Sequence, residues 1–521
     1  MHYAILTLLT VIRLAIFAWM VDMPILEASP YSVRLWCNYL ASALVLWCPL
    51  LLTKRRRWTY IVSLLLDIWL IGNLIYFRSY GDLLNRWCLL NVENMDGIWA
   101  AVFPFVRTKD QIFLVFTLSW ILLCENMPQI NRPTLPRRLA VSIACLSICC
   151  APQAMACMKS ELPLSPFATY YADVSMGRLW YVHTYGAITH LANETVQLLH
   201  HNDPEAEEVK PSEVEAYVQE TGQVGEQGNL LLIIVESLED RVVGLRIDGQ
   251  EVTPHINRLA EHPMSGRYAV QAQVKEGKSS DAQLIIFNGL LPLYNGAASM
   301  RYPTNTYPSL LHYTSADSRL LLAAYPEHMW NQRTNALAYG FDSIYATEMS
   351  DNRLMQLSTE AILHAKQPFI VTAVTMASHS PFNAYADSAD IRITAPEYSA
   401  DEARYMQCLH YTDHAIGTLL DTLFAHSKLA RTTRIVITGD HPIFDMHNPV
   451  PLVIYDPFMP PMEVSRTLYQ ADIYTTLIER MQLPTPWRGL GRDIADTTAY
   501  TPSEQMYRLS DRMIRTNYFS H

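Results

Sequence analysis

Along its first third the chain gathers apolar residues into long unbroken blocks, without the spacing of a half-buried helix or strand. Five such blocks run over residues 3–20, 35–52, 58–77, 112–124 with its flanks, and 139–158. A helix needs about 20 apolar residues to cross the hydrocarbon core of a bilayer, so the blocks predict five spans within residues 1–158. Arg13 lies inside the first and Asp67 inside the third. Each must reach the interface or find a partner. The later spans argue against reading the first as a cleaved signal peptide.

The pattern changes twice more. Leu179, Val182, Tyr185, Ile188, Leu191, Val196 and Leu199 recur at near-helical spacing, which predicts a juxtamembrane helix. Residues 202–228 are acidic and broken by Pro and Gly, and read as a solvated linker. Residues 159–228 thus connect the membrane part to a third region, 229–521. There, continuous apolar runs at 230–235, 368–374 and 434–438 alternate with helical stretches such as 403–423. Short apolar runs of that kind are strands buried on both faces. Their alternation with helices predicts an α/β domain built on a central, mostly parallel sheet.

Charge divides the chain at the same place. Residues 1–157 hold 13 Lys/Arg against 8 Asp/Glu, the remainder 26 against 42, and the whole carries a net −11. A basic apolar third followed by an acidic domain predicts a multi-pass anchor in the cytoplasmic (inner) membrane and a water-soluble domain. Nothing in it suits a nucleic-acid partner. The basic loops Lys54-Arg55-Arg56-Arg57 and Arg132/Arg137/Arg138 should face the cytoplasm, which leaves the domain after residue 158 on the outer side. Eight of nine cysteines lie at or before Cys157, and Cys408 stands alone beyond it, so the exported domain has no internal disulfide. Its size allows it to rely on its core.

In parallel sheets of this kind the site lies beyond the carboxyl ends of the strands. The three apolar runs end near Glu236, His379 and Asp440-His441. Two carboxylates and imidazoles on one rim suit a divalent cation. Taken singly, Glu236 is also a good helix cap, His379 a loop histidine and Asp440-His441 a turn. The segment Gly277-Lys278-Ser279-Ser280-Asp281 precedes a helix-like run. A serine there would meet the free amides of the helix start and could be activated as a nucleophile, or serve as an N-cap. The segment is no P-loop, because Ala272 stands where the first glycine of that motif belongs.

In combination these motifs resemble the alkaline-phosphatase/sulfatase superfamily, and within it the lipoteichoic-acid-synthase-like membrane phosphotransferases. The resemblance rests on residues 232–237, on Thr253-Pro254-His255-Ile256-Asn257-Arg258-Leu259-Ala260, and on the Gly277–Asp281 motif. Trp330-Asn331, His379 before Ser380-Pro381-Phe382, and Gly439-Asp440-His441 continue it. It implies one divalent cation (Mn²⁺ or Zn²⁺, with Mg²⁺ an option) held by Glu236, Ser279, Asp440 and His441. It also implies Ser279 as nucleophile, His379 as a catalytic or phosphate-binding group, and Trp330 and Arg333 as substrate contacts, while His447, close in sequence to Asp440-His441, is a further candidate for binding the phosphoryl group. The expected activity is transfer of a phospholipid headgroup, glycerophosphate or phosphoethanolamine, through a phosphoseryl enzyme to an envelope glycan or glycolipid. A membrane-anchored hydrolase using water would employ the same residues.

The chain departs from the group's pattern in several places. Ser279 replaces the usual Thr, and Ser280 offers a second hydroxyl. Gln332 follows Trp330-Asn331, so Arg333 stands one position beyond the group's arginine. Pro442 follows His441 where Gly is common. The residues after Ser279 lack a sulfatase's Cys/Ser-x-Pro-x-Arg signature.

Overall fold

The computed structural model describes residues 228–520 continuously. Before them it describes 2–21, 57–80, 83–85, 106–126, 186–200 and 206–219, with parts of 36–47 and a few single positions. Two compact units result, one built from the N-terminal region and one from about residue 206 onward.

In the N-terminal unit three expected spans are helices: α1 (His2–Met20), α2 (Arg57–Tyr80) and α3 (Ile112–Asn126). A further helix, α4 (Ala187–His200), falls within the predicted juxtamembrane stretch. Among the described residues only one segment, Arg57–Arg78, is long and apolar enough to cross a bilayer, and Ala4–Met20 is a shorter apolar helix. The expectation of five spans is therefore met by one full-length helix. The described parts of 36–47 are helical, and the block at 139–158 lies almost wholly outside the described residues.

The two charges inside the apolar blocks answer each other. Arg13 Nη1 lies 3.1 Å from Asp67 Oδ1, both wholly buried. Ser63 accepts from Arg13 at 2.7 Å, and Thr117 donates to Asp67 at 2.5 Å. Apolar side chains face outward instead: Leu8, Trp19, Leu65, Ile68, Leu118 and Leu122 are all more than half exposed. A soluble bundle has the opposite distribution.

The second unit is built on an eight-stranded sheet. Its strands are β1 (Asn229–Val235), β2 (Ser265–Gln271), β3 (Ser318–Ala323), β4 (Ser343–Ala346), β5 (Phe369–Val374), β6 (Thr433–Gly439), β7 (Pro449–Tyr455) and β8 (Leu468–Tyr469). Their order is β8-β2-β7-β6-β1-β5-β3-β4. From β6 to β4 all pairs are parallel, while β7 runs antiparallel to both neighbours. The period of two along β1 divides its side chains between two cores. Leu230, Leu232 and Ile234 enter one, and Leu231, Ile233 and Val235 the other. Burial on both faces accounts for the unbroken apolar runs.

One boundary differs from expectation. Residues 206–219, read as part of a solvated linker, pack against the domain. Val209 and Val214 join its core, Val218 bridges to Trp487, and Glu213 pairs with Arg512 at 2.7 Å. Acidic composition marked the surface of this segment but not the two valines that dock it.

Candidate active site

Strands β6, β1 and β5 are adjacent, parallel and in register, so their carboxyl ends share one rim. Glu236 follows β1, Asp440 and His441 follow β6, and His379 lies five residues past β5. Glu236, Asp440 and His441 are buried, and each brings one ligand atom to within 4.8 Å of the others'. His441 Nε2 is 3.7 Å from Glu236 Oε1 and 3.6 Å from Asp440 Oδ2.

The serine arrives from helix α5 (Ser279–Asn288), whose ten residues are all buried. Ser279 stands at its first turn and donates to Glu236 Oε2 at 3.2 Å. Ser280 is occupied elsewhere: it donates to the Gly277 carbonyl at 2.8 Å and accepts from Ser299 at 2.9 Å. The loop before the helix is cinched by Asp281, whose Oδ2 accepts from the amides of Lys275 and Gly277, each at 2.9 Å.

Several features suit a cation. Asp440 Oδ2 is buried without a hydrogen-bond partner, whereas Oδ1 accepts from the Ser237 and His441 amides at 2.7 Å. Burial, and then the charge of Asp440, hold Glu236 well above the usual carboxylate range. Two carboxylates forced together in a dry site are relieved by a positive ion. Burial also lowers His441, which keeps it neutral near pH 7. Its Nδ1 faces the Pro442 carbonyl at 2.9 Å, so the proton belongs on Nδ1 and the lone pair on Nε2 faces the carboxylates. That is how a ligating histidine is normally oriented. The residues therefore fit a divalent cation, with Glu236, Asp440, His441 and the Ser279 hydroxyl as donors.

His379 is held in the same way, with Nδ1 2.6 Å from the Ser380 carbonyl. Burial lowers it below the usual histidine value, against the pull of Asp440. It therefore presents Nε2 as an acceptor. Trp330 and Asn331 both adopt left-handed backbone angles, and Asn331 ties its segment to the Ser299 carbonyl at 3.1 Å. Two other expected contacts lie elsewhere. Arg333 is more than half exposed and pairs with Glu327 at 3.2 Å. His447 is 96 % exposed and pairs only locally with Asp445, at 2.9 Å. The position after Asn331 is instead filled inward by Gln332, which accepts from Tyr325 at 2.7 Å and donates to Gln283 of α5 at 2.9 Å.

Sequence reasoning assigned no part to several residues that shape the site. Thr375 accepts from the Glu236 amide at 3.0 Å, and Ser378 donates to the Glu236 carbonyl at 2.5 Å. Gln470 donates to the Asp440 carbonyl at 2.7 Å. Lys278 is pulled down to about 8 by burial, against the charges of Asp440, Glu236 and Asp281. Its place beside Ser279 was the one signal available for it. Ser237, Lys278, Trp330, Asn331 and Phe382 account for five of the eight described non-glycine residues with positive φ. Strain of this kind gathers where a loop must present a group in one orientation.

The cluster stands on the rim of a mostly parallel sheet, in an α/β domain that is sulfatase-like. Residues 228–483 match the sulfatase family and residues 1–194 the lipoteichoic acid synthase N-terminal domain. Lipoteichoic acid synthase 2 of Bacillus subtilis is 26% identical over 456 residues, covering 80% of this chain and 68% of that protein. Lipoteichoic acid synthase of Staphylococcus saprophyticus is 26% identical over 488 residues, covering 86% and 73%. The fold is shared along almost its whole length with the integral membrane protein lipooligosaccharide phosphoethanolamine transferase A from Neisseria meningitidis. There the TM-score is 0.56 at 11% identity, over 98% of both chains. The chain thus joins a sulfatase-family domain to a lipoteichoic acid synthase N-terminal domain and is similar over most of its length to lipoteichoic acid synthases, which supports an enzyme of the transferase type.

Proposed function

We propose that this protein transfers the headgroup of a membrane phospholipid, glycerophosphate or phosphoethanolamine, to an envelope glycan or glycolipid. Ser279 carries the group in transit. The observation that bears most weight is the Ser279 hydroxyl, 3.2 Å from Glu236 Oε2, beside a buried Asp440 oxygen that accepts no hydrogen bond from the described residues.

A divalent cation, Mn²⁺ or Zn²⁺ in preference to Mg²⁺ for this mixed oxygen and imidazole set, would acidify the serine and offset charge on the phosphoryl oxygens. Ser279 Oγ forms a bond to phosphorus, and the bond from phosphorus to the diacylglycerol oxygen breaks. The lipid leaves as diacylglycerol, taking up the proton that Ser279 gives up, and a phosphodiester remains on Ser279. An acceptor hydroxyl then attacks phosphorus and the serine oxygen departs. His379 Nε2, unprotonated and free to accept, takes the proton of that hydroxyl.

The anchor serves the donor. A lipid confined to the bilayer meets a tethered domain at high effective concentration. The outward apolar side chains and buried Arg13–Asp67 pair of the N-terminal unit support lipid around it. Five crossings in residues 1–158 would put the catalytic domain, from residue 229, outside the cytoplasmic membrane.

The test uses the full chain in detergent with a fluorescent phosphatidylglycerol or phosphatidylethanolamine, with and without envelope glycolipid. Turnover should depend on acceptor, and acid trapping should yield a phosphorylated peptide. Ser279→Ala should abolish both, while Ser280→Ala keeps the adduct. Headgroup release at full rate without acceptor would make the enzyme a hydrolase. An adduct mapped to Ser280 would overturn the assignment of the nucleophile.

A further inference from the structure

We propose that Glu239 is a positioning residue, a buried carboxylate that clamps the loop following His441 to the loop following Glu236 and so sets the affinity of the cation site. The inference rests on the metal-site reading above.

Glu239 is fully buried and is no ligand of the cluster. Its Oε1 accepts from two successive amides, Ile443 and Phe444, each at 3.0 Å. Its Oε2 accepts from Asn448 at 3.3 Å and from Arg241 Nε at 2.5 Å. Three of these four donors belong to the segment 443–448, which begins two residues after His441. Glu239 itself stands three residues after Glu236, on the turn leaving β1. One side chain therefore joins the two loops that deliver the cluster from neighbouring strands.

The clamp is itself held from behind. Tyr405, buried on helix α6 (Ala400–Ala425), accepts from the Glu239 amide at 3.2 Å and donates to the Ser237 carbonyl at 2.7 Å. The tip of the clamped loop, Phe444, packs edge-on against Tyr405 with ring centres 5.2 Å apart. Between the loops, Ser237 donates to Asp440 at 2.7 Å. The His441 ring is oriented by its hydrogen bond to the Pro442 carbonyl, and Pro442 is the residue just before the clamped amides. Release of those amides frees Pro442, and with it the tilt that aims His441 Nε2 at the carboxylates.

The number of amides on one oxygen distinguishes a clamp from a plain ion pair. Glu239→Gln retains an oxygen for the Ile443 and Phe444 amides. The partner it repels, Arg241, is about one-third exposed and already lies 3.7 Å from Glu402, so it can turn away. Glu239→Ala removes the clamp altogether.

The experiment is a calorimetric titration of Mn²⁺ into metal-stripped full-length protein in detergent. Outer groups that orient metal ligands typically contribute 10–100-fold in affinity, and Glu239→Ala should weaken Mn²⁺ binding by that factor. Glu239→Gln should stay within about threefold of the parent, on the same scale. At limiting Mn²⁺ the Ala variant should lose kcat, and excess Mn²⁺ should restore it with an unchanged donor KM. If the Ala variant does not melt cooperatively, Glu239→Asp, too short to reach the amides, carries the same expectation. Parent-like Mn²⁺ affinity in the Ala or Asp variant would overturn the proposal. So would a Gln variant as weak as Ala, since the amides would then be irrelevant. Asp440→Ala is the separate control: if it leaves Mn²⁺ binding unchanged, the metal-site reading fails rather than the clamp.

Discussion

Gly277→Ala tests the loop that presents the nucleophile. A Cβ at this position would lie 2.2 Å from Asp281 Oδ1, 2.5 Å from its Cγ and 2.9 Å from Ser280 Oγ. Asp281 is buried and cannot swing into solvent. To make room it must release the Lys275 and Gly277 amides that its other oxygen holds at 2.9 Å. A hydrogen bond to a charged acceptor contributes about 1.5–3 kcal/mol. Burial pushes Asp281 up to about 7, so the lower figure applies and the pair amounts to about 3 kcal/mol on that scale. Restricting the unfolded chain returns about 0.5 kcal/mol, leaving a net loss of about 2.5 kcal/mol. The same shift moves Ser279, two residues on, and a displacement near 1 Å costs about 100-fold in rate. Denaturant unfolding and acceptor-dependent turnover measure the two effects. In a double-mutant cycle, Gly277→Ala made in an Asp281→Ala background should cost much less, because the two closest contacts are gone and only that with Ser280 Oγ remains. A single variant within about 0.5 kcal/mol and twofold of the parent, below the mutational costs expected here, would refute the reasoning.

Asp456→Ala should destabilise the domain by about 3–5 kcal/mol, because it strands buried Arg434 and Arg480, which lie 3.2 and 2.8 Å from the carboxylate. A loss under about 1 kcal/mol in denaturant melts, the range of an exposed pair, would contradict this. Asp413 caps the His255 and Ile256 amides at 2.9 and 2.8 Å, and burial pushes it up to about 7. The folded state then binds its proton more tightly than the unfolded chain, whose aspartate titrates near 4. This residue's contribution is therefore greatest at low pH and declines as pH rises from about 4 to about 7. The melting midpoint of Asp413→Asn relative to the parent should rise across that window, and a flat difference would argue against a buried, titrating Asp413. Because Glu236 is held above the usual carboxylate range, cation binding should release a proton and tighten as pH rises. Mn²⁺ titrations in buffers of different ionisation enthalpy would detect it, and identical heats would contradict the coupling.

Strands β1, β5 and β6 were legible because each is buried on both faces and bounded by polar residues, and their ends named Glu236, His379, Asp440 and His441. Ser279 was legible as a helix-start hydroxyl, but the choice between it and Ser280 was not. That choice turns on Ser299, nineteen residues beyond Ser280, which engages Ser280 and leaves Ser279 to Glu236. A family motif gave Arg333 a substrate role, and nearness in sequence to Asp440-His441 gave His447 one. Folding turned Arg333 outward to Glu327 and put Gln332 inside, because on a helical turn adjacent residues point about 100° apart. Composition likewise made 206–219 a linker, although two valines sufficed to dock it.

By itself the sequence determined what local chemistry and periodicity can carry: a basic apolar anchor, a parallel α/β domain, and the residue types awaiting a cation and a phosphoryl group. Tertiary structure alone decided which charges neutralise one another, as with Arg13 and Asp67. It also decided which carboxylates share a dry pocket and which, like Glu239, hold the loops around it. The physical reason is range. Hydrophobic periodicity is written within a few residues, whereas burial and the pairing of charges depend on groups that meet only when strands some 200 residues apart lie side by side.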